Sequence, residues 1–178
     1  MSGVAPSSTA MTIPAAIHRL PTTARGEIGA VTSRGRLLRL PVLDLPAIPP
    51  TDGPPSLSGG VPVTEVLELA PGERVLTLAP LAPGGSTLAL GTARGVVKRV
   101  VPEDLPRGDA WDVIELADGD EVVGAALADD ADTLVFLTTD AQLLHFAATA
   151  VRPQRRRAGG MTGIKLGAGA QVAFFGVV

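Results

Sequence analysis

Gly85-Ser-Thr-Leu-Ala-Leu-Gly-Thr-Ala-Arg-Gly-Val-Val-Lys-Arg-Val100 reads as a strand, a tight turn and a return strand, with Gly95 where such a turn needs a positive φ. The same unit occurs twice more. Gly26-Glu-Ile-Gly-Ala-Val-Thr-Ser-Arg-Gly-Arg-Leu-Leu-Arg-Leu40 precedes it with Gly35 at the turn, and Asp132-Thr-Leu-Val-Phe-Leu-Thr-Thr-Asp-Ala-Gln-Leu-Leu-His-Phe146 follows it with Ala141 there. The turns are 60 and 46 residues apart. The longer first interval contains Pro41 to Gly60, where Pro41, Pro46, Pro49, Pro50, Pro54 and Pro55 accompany Gly53, Gly59 and Gly60. That composition cannot hold a central strand and reads as a linker or long surface loop.

A second unit alternates with the first: Val66-Leu-Glu-Leu-Ala-Pro-Gly-Glu-Arg-Val-Leu76, Val113-Ile-Glu-Leu-Ala-Asp-Gly-Asp-Glu-Val-Val123 and Gly163-Ile-Lys-Leu-Gly-Ala-Gly-Ala-Gln-Val-Ala173. Leu69, Leu116 and Leu166 correspond, as do Gly72, Gly119 and Gly169. Two strand–turn–strand units with a joint period of roughly 47 residues make about four strands per repeat, the dimension of a propeller blade. Along the whole chain, 21 glycines and 16 prolines separate apolar runs of four to seven residues, and no stretch holds a 3.6-residue period over three turns. The chain is therefore expected to be all-β, with roughly three four-stranded blades plus a partial one. Val172-Ala-Phe-Phe-Gly-Val-Val178 reads as the first strand of a further blade without its partners, as in a fragment of a longer protein. Residues 1–24 are expected to form a flexible leader and first strand, and residues 25–178 the bladed domain with the 41–60 loop inserted.

Composition narrows the function. Hydrophobic residues make up 46% of the 178, which suits a chain with a buried core. Cysteine and tyrosine are absent and histidine occurs only at His18 and His145, so thiolate metal sites, tyrosine nucleophiles and His-centred triads are missing or poorly supplied. Aromatic residues total 3%, too few for base-stacking platforms. No apolar run approaches the roughly 18 residues of a membrane span, and the opening residues lack the pattern of a secretory signal. A cytoplasmic protein with no cofactor is expected.

The formal net charge of −3 hides a segregated chain. Val151-Arg-Pro-Gln-Arg-Arg-Arg-Ala-Gly-Gly-Met-Thr-Gly-Ile-Lys-Leu166 carries Arg152, Arg155, Arg156, Arg157 and Lys165 and no carboxylate. It reads as a phosphate-contacting loop, with Gly159, Gly160 and Gly163 leaving room for a polyanion's backbone; a solvated basic turn is the bland alternative. The residue four past each hairpin turn is Arg39, Arg99 and His145, and Arg34, Arg36, Arg94 and Lys98 lie close by. Successive blades are thus expected to present cations along one rim. From Val101 to Asp140 there are twelve carboxylates against Arg107 alone, and such segregation steers a polyanion to one face. Asp118-Gly-Asp-Glu121 lacks calcium-loop spacing and reads as a type I′-like turn. Gly84-Gly85-Ser86 also reads as a turn. Trp111 reads as a packing residue, and Arg74 and Arg107 as surface charges.

These motifs resemble those of a known family, the C-terminal domain of the A subunit of bacterial type IIA topoisomerases, gyrase and topoisomerase IV. The likeness rests on Arg94-Gly-Val-Val-Lys-Arg99, the Asp-Gly-Asp-Glu-Val-Val unit and Val151–Leu166, and covers most of Arg25 to Val178; the Ala/Pro/Gly bias suggests an actinobacterial type. The resemblance implies an open β-propeller, or β-pinwheel, whose blades exchange strands and whose basic outer rim bends double-stranded DNA. Partners would be the DNA, the ATPase B subunit and the remainder of the A subunit. In gyrase one blade carries a Gln-Arg-Arg-Gly-Gly-Lys-Gly box. Gln154, Arg155, Arg156 and Gly160 match it, whereas Arg157 and Ala158 replace two glycines and Gly159 replaces the lysine. The resemblance therefore favours an ordinary blade loop of a topoisomerase IV-like subunit. It assigns DNA contact to Arg34, Arg36, Arg39, Arg94, Lys98, Arg99, His145, Arg152, Gln154, Arg155, Arg156, Arg157 and Lys165. The family's DNA-cleaving tyrosine has no counterpart here, so the chain alone is expected not to cleave DNA or hydrolyse ATP. The competing reading is a protein-interaction propeller that works through its acidic Val101–Asp140 face.

Overall fold

A computed structural model describes residues 20–47, 60–81, 85–101 and 108–178. Most of the leader, most of the proline-rich loop, Gly84 and Arg107 lie outside the described residues. Eleven strands and a few 3-10 turns account for the regular structure within them. The three hairpins are β1 (Glu27–Thr32) with β2 (Arg36–Pro41), β4 (Thr87–Thr92) with β5 (Val96–Val100), and β8 (Thr133–Thr138) with β9 (Leu143–Ala147). Each is joined along its first strand by the next strand of the alternating unit: β3 (Val75–Pro80), β7 (Val122–Ala128) and β11 (Val172–Val177). The fourth strands are β6 (Ala110–Asp112), which pairs with β2, and β10 (Met161–Thr162), which pairs with β5. The sheet orders are β3-β1-β2-β6, β10-β5-β4-β7 and β11-β8-β9, and every strand pairing is antiparallel.

The outer strand of each of the first two sheets comes from beyond the next hairpin. β6 follows β4 and β5 in the chain, and β10 follows β8 and β9, so successive blades are tied by exchanged strands. This is the open, bladed all-β architecture that the repeats and the resemblance imply.

The repeat extends to single hydrogen bonds. The amides of Gly35, Gly95 and Ala141 donate to the carbonyls of Thr32, Thr92 and Thr138, each at 3.0 Å. The three turn residues have φ of 70°, 82° and 61°. The hydroxyls of Thr32, Thr92 and Thr138, all buried, accept the amides of Arg36, Val96 and Gln142 at 3.4, 3.2 and 3.0 Å. Each hairpin turn is then held against the glycine turn of the alternating unit, because Ser33, Ala93 and Thr139 donate to the carbonyls of Arg74, Glu121 and Gln171 at 2.8 Å.

Two expectations are corrected. β11 is not unpaired, since it lies against β8 from Val172↔Thr138 to Val177↔Leu134. Among the described residues, what the third hairpin lacks is an exchanged outer strand on β9, where β2 has β6 and β5 has β10. The Asp118-Gly119 turn is not type I′, which needs positive φ at both central residues; Gly119 has φ 70° but Asp118 is not in that region.

Packing follows the two faces of each sheet. One cluster joins the first and second sheets through Val31, Leu37, Leu90, Val100, Val122 and Ile114, with Trp111 in it as expected. Another joins the second and third through Val97, Leu134, Phe136, Val151 and Phe175, where the Phe136 and Phe175 rings lie 4.9 Å apart. The middle sheet is therefore covered on both faces. The third sheet buries Phe136 but leaves a cross-strand row of Phe174, Leu137 and Leu143 exposed on its other face.

Candidate nucleic-acid interface

The basic segment Val151–Thr162 runs along the outer edge of the middle sheet. Val100 forms a parallel bridge with Gln154, whose amide donates to the Arg99 carbonyl at 2.8 Å, and Met161-Thr162 pairs with Val96-Val97. Between these anchors the chain turns tightly, the Ala158 amide donating to the Arg155 carbonyl at 3.1 Å. The Gln154 side chain closes the loop by accepting the Gly160 amide at 3.2 Å. Arg152, Arg155 and Arg157 are exposed, Arg156 is half-buried, and Lys165 is exposed just beyond.

Two of the three glycines of this loop, Gly160 and Gly163, serve the sheet beneath. Gly160 has φ 85°, and a side chain there would meet the Val97 carbonyl at 2.7 Å. A methyl at Gly163 would meet Val97 at 2.9 Å and the Phe136 ring at 3.0 Å. They let the segment lie close on β5; the expected role of leaving room for a polyanion is not what requires glycine here.

The expected rim of cations is divided by the structure. Lys98 is fully buried, and its ammonium donates to the carbonyls of Val113, Arg156 and Ala158 at 2.8, 2.6 and 2.6 Å, which uses all three of its donors. Burial pushes its pKa down to about 8, with nearby Glu115 opposing. Arg99 is 2% exposed; its Nε donates to Thr87 Oγ1 at 3.0 Å, Nη1 to the Ala148 carbonyl at 3.0 Å, and Nη2 to Asp130 Oδ1 at 2.6 Å. Adjacent strand residues point to opposite faces. With both faces of the middle sheet covered, both cations turn inward, so neither stands on the rim as expected.

Arg36 and Arg39 are half-buried and committed to carboxylates. Arg36 pairs with Glu73, which is buried and also accepts the Thr32 hydroxyl at 2.5 Å and the Ala70 amide at 2.9 Å. Burial alone would push the Glu73 carboxyl up, but the hydrogen bonds from Arg36, Thr32 and Ala70 and the Arg36 charge outweigh it and hold it at about 2. Arg39 pairs with Glu27, donates to the Gly108 carbonyl at 3.0 Å and lies 5.4 Å from the Trp111 ring centre.

Arg34 and Arg94 stand exposed at the first two hairpin turns. The Arg34 guanidinium donates to the Pro71 carbonyl at 3.0 Å, and the Arg94 amide donates to Asp120 at 3.1 Å. His145 is exposed on β9. Arg74 and Glu121 form an exposed pair at 3.1 Å. The structure thus gathers Arg152, Gln154, Arg155, Arg156 and Arg157 in one loop, sets the Arg94-Gly95 turn against the segment that leads to Lys165, where the Gly163 and Ile164 amides donate to the Gly95 carbonyl at 2.8 and 3.1 Å, and leaves Arg34 and His145 on the other two hairpins. The sequence reading missed the three threonines and the buried Glu73. The threonines were detectable, since each stands three residues before the turn position of its repeat.

A family model described as the DNA gyrase C-terminal domain, beta-propeller, matches residues 30–51 and 132–178. The chain is 30% identical over 139 residues to the DNA gyrase A subunit of Haemophilus influenzae, and 31% identical over 145 residues to that of Escherichia coli (strain K12). These matches cover 76% and 79% of the chain. The chain belongs to the gyrase C-terminal domain family. The fold agrees: the crystal structure of the C-terminal domain of DNA topoisomerase IV superposes with a TM-score of 0.74 over 87% of this chain and 48% of that one, at 22% identity. The chain spans only 15–16% of the length of those two gyrase relatives. As a gyrase-type C-terminal domain it has an outer strand on each of its first two blades, and the Arg155–Ala158 turn hangs from the second. No described helix is long and apolar enough to cross a membrane.

Proposed function

We propose that this domain binds double-stranded DNA without sequence preference and bends it, as an accessory domain of a type IIA topoisomerase A subunit. It would present a DNA segment to a catalytic core carried elsewhere, in an enzyme completed by an ATPase B subunit in the bacterial cytoplasm. The observation that carries the reading is the Arg155–Ala158 turn, which holds exposed Arg155 and Arg157 and half-buried Arg156 at the outer edge of the middle blade.

Arginine suits this role because its planar guanidinium matches phosphate oxygens and keeps its charge at any working pH. Contacts of this kind position a protein on the duplex without reading bases. The DNA-facing set is therefore Arg152, Arg155, Arg156, Arg157 and Lys165, with Arg34, Arg94 and His145 as outlying contacts. Arg36, Arg39, Lys98 and Arg99 belong to the framework, and Gln154 braces the loop. Without a tyrosine, the chain has no nucleophile of the kind the family uses to cleave DNA.

Ligation of a nicked circle in the presence of the 178-residue chain tests the bending. A shift in the linking-number distribution that grows with protein concentration is expected. An unshifted distribution under conditions where the DNA is saturated would leave binding without a bend of fixed handedness.

A further inference from the structure

We infer that Lys98 is the positioning residue of the basic loop, its buried ammonium holding the Arg155–Ala158 turn in the form that presents the arginines to phosphate. This rests on the DNA-binding reading above. The ammonium sits beneath the turn, and two of its three hydrogen bonds go to the Arg156 and Ala158 carbonyls at 2.6 Å. The third, to Val113 at 2.8 Å, ties the turn to the segment that follows β6. The same three bonds have an electrostatic consequence. Carbonyl oxygens facing outward would repel a phosphate placed over the turn; those of Arg156 and Ala158 are directed inward to a cation instead.

The arrangement is particular to the second blade. The residues at the corresponding place, three past the turn position, are Leu38 in the first hairpin and Leu144 in the third. Neither can hold carbonyls, so the inference makes the second blade the principal phosphate-binding station of the three.

The test compares the intact chain, Lys98→Met, the triple variant Arg155→Ala/Arg156→Ala/Arg157→Ala, and all four changes combined, binding a mixed-sequence duplex across a salt series. Lys98→Met is expected to weaken binding about tenfold and to flatten the salt slope by about 0.9 for each phosphate no longer neutralised, although every arginine remains. Added to the triple variant, the same change should weaken binding no further, because the residue acts through the arginines. A general loss of stability would weaken both backgrounds alike, and that outcome overturns the inference.

A readout without DNA separates the two readings. Trypsin should cut after Arg155, Arg156 or Arg157 about ten times faster in Lys98→Met than in the intact chain, because local opening exposes the turn. If the intact chain binds no DNA yet this difference appears, the function proposed above fails while the positioning of the turn by Lys98 holds. If the intact chain binds and Lys98→Met matches it in affinity, salt slope and trypsin resistance, the inference is overturned and the function stands. Should Lys98→Met not fold, amide exchange in the intact chain decides. Protection of the Ala158 and Gly160 amides comparable to that of β5 supports a pinned turn, and exchange as fast as an exposed loop contradicts it.

Discussion

The Arg99 guanidinium lies 2.6 Å from the Asp130 carboxylate in a pair of unequal partners, the arginine side chain 2% exposed and the aspartate 76%. The buried member also holds the Ala148 carbonyl and the Thr87 hydroxyl, so most of its worth lies in satisfying buried oxygen atoms. Arg99→Met should therefore destabilise the fold by about 2–3 kcal/mol, by leaving buried acceptors unpaired. Asp130→Asn should cost less than about 1 kcal/mol, as exposed carboxylates usually do. Urea denaturation of both variants checks the asymmetry.

Glu73 predicts how the first blade responds to acid. Its carboxyl is held at about 2 in the folded chain, below the ordinary 4.5, so the folded state binds fewer protons than the unfolded one between those values. The stability it contributes is present above pH 4.5 and is lost as the pH falls toward 2. A full shift of this size corresponds to about 3 kcal/mol, reduced by solvent screening because Arg36 is partly exposed. Thermal melts of the intact chain and Glu73→Gln from about pH 5 to about pH 2 should converge as the pH drops.

Ala141 occupies a left-handed conformation, φ 61°, where the two equivalent turns have glycine. Such a conformation costs an L residue roughly 1 kcal/mol or more. Ala141→Gly should raise stability by up to about 1 kcal/mol, offset in part by the greater freedom of glycine in the unfolded chain. The reverse change at Gly35 should be destabilising for two reasons, the positive φ and an Ile114 methyl 2.5 Å from the added carbon. Thermal melting of the two variants should move in opposite directions.

The hairpins were legible because their turn chemistry is local. A glycine or alanine at a fixed place, an apolar run on each side and a constant interval suffice to specify β1–β2, β4–β5 and β8–β9. The exchanged strands were not legible in the same way. β6 and β10 are three and two residues long, too short to carry a pattern, and they pair with strands far back in the chain. That pairing also explains the misplaced cations. A strand bearing Lys98 and Arg99 on opposite faces reads as half-exposed until the second sheet is known to be covered on both sides. The basic loop itself was plain, since five cations without a carboxylate need no tertiary information, but the inward turn of its carbonyls depends on Lys98, 58 residues from Arg156.

The central claim is that the arginine turn binds duplex phosphate without reading bases, and salt titration of binding to two duplexes of unrelated sequence tests it most directly. The intact chain should show equal affinities for the two, each falling with a log–log slope of about −0.9 per phosphate neutralised. Arg155→Ala/Arg156→Ala/Arg157→Ala should weaken both equally and flatten both slopes together. Binding that ignores salt, or a loss confined to one sequence, would contradict the account.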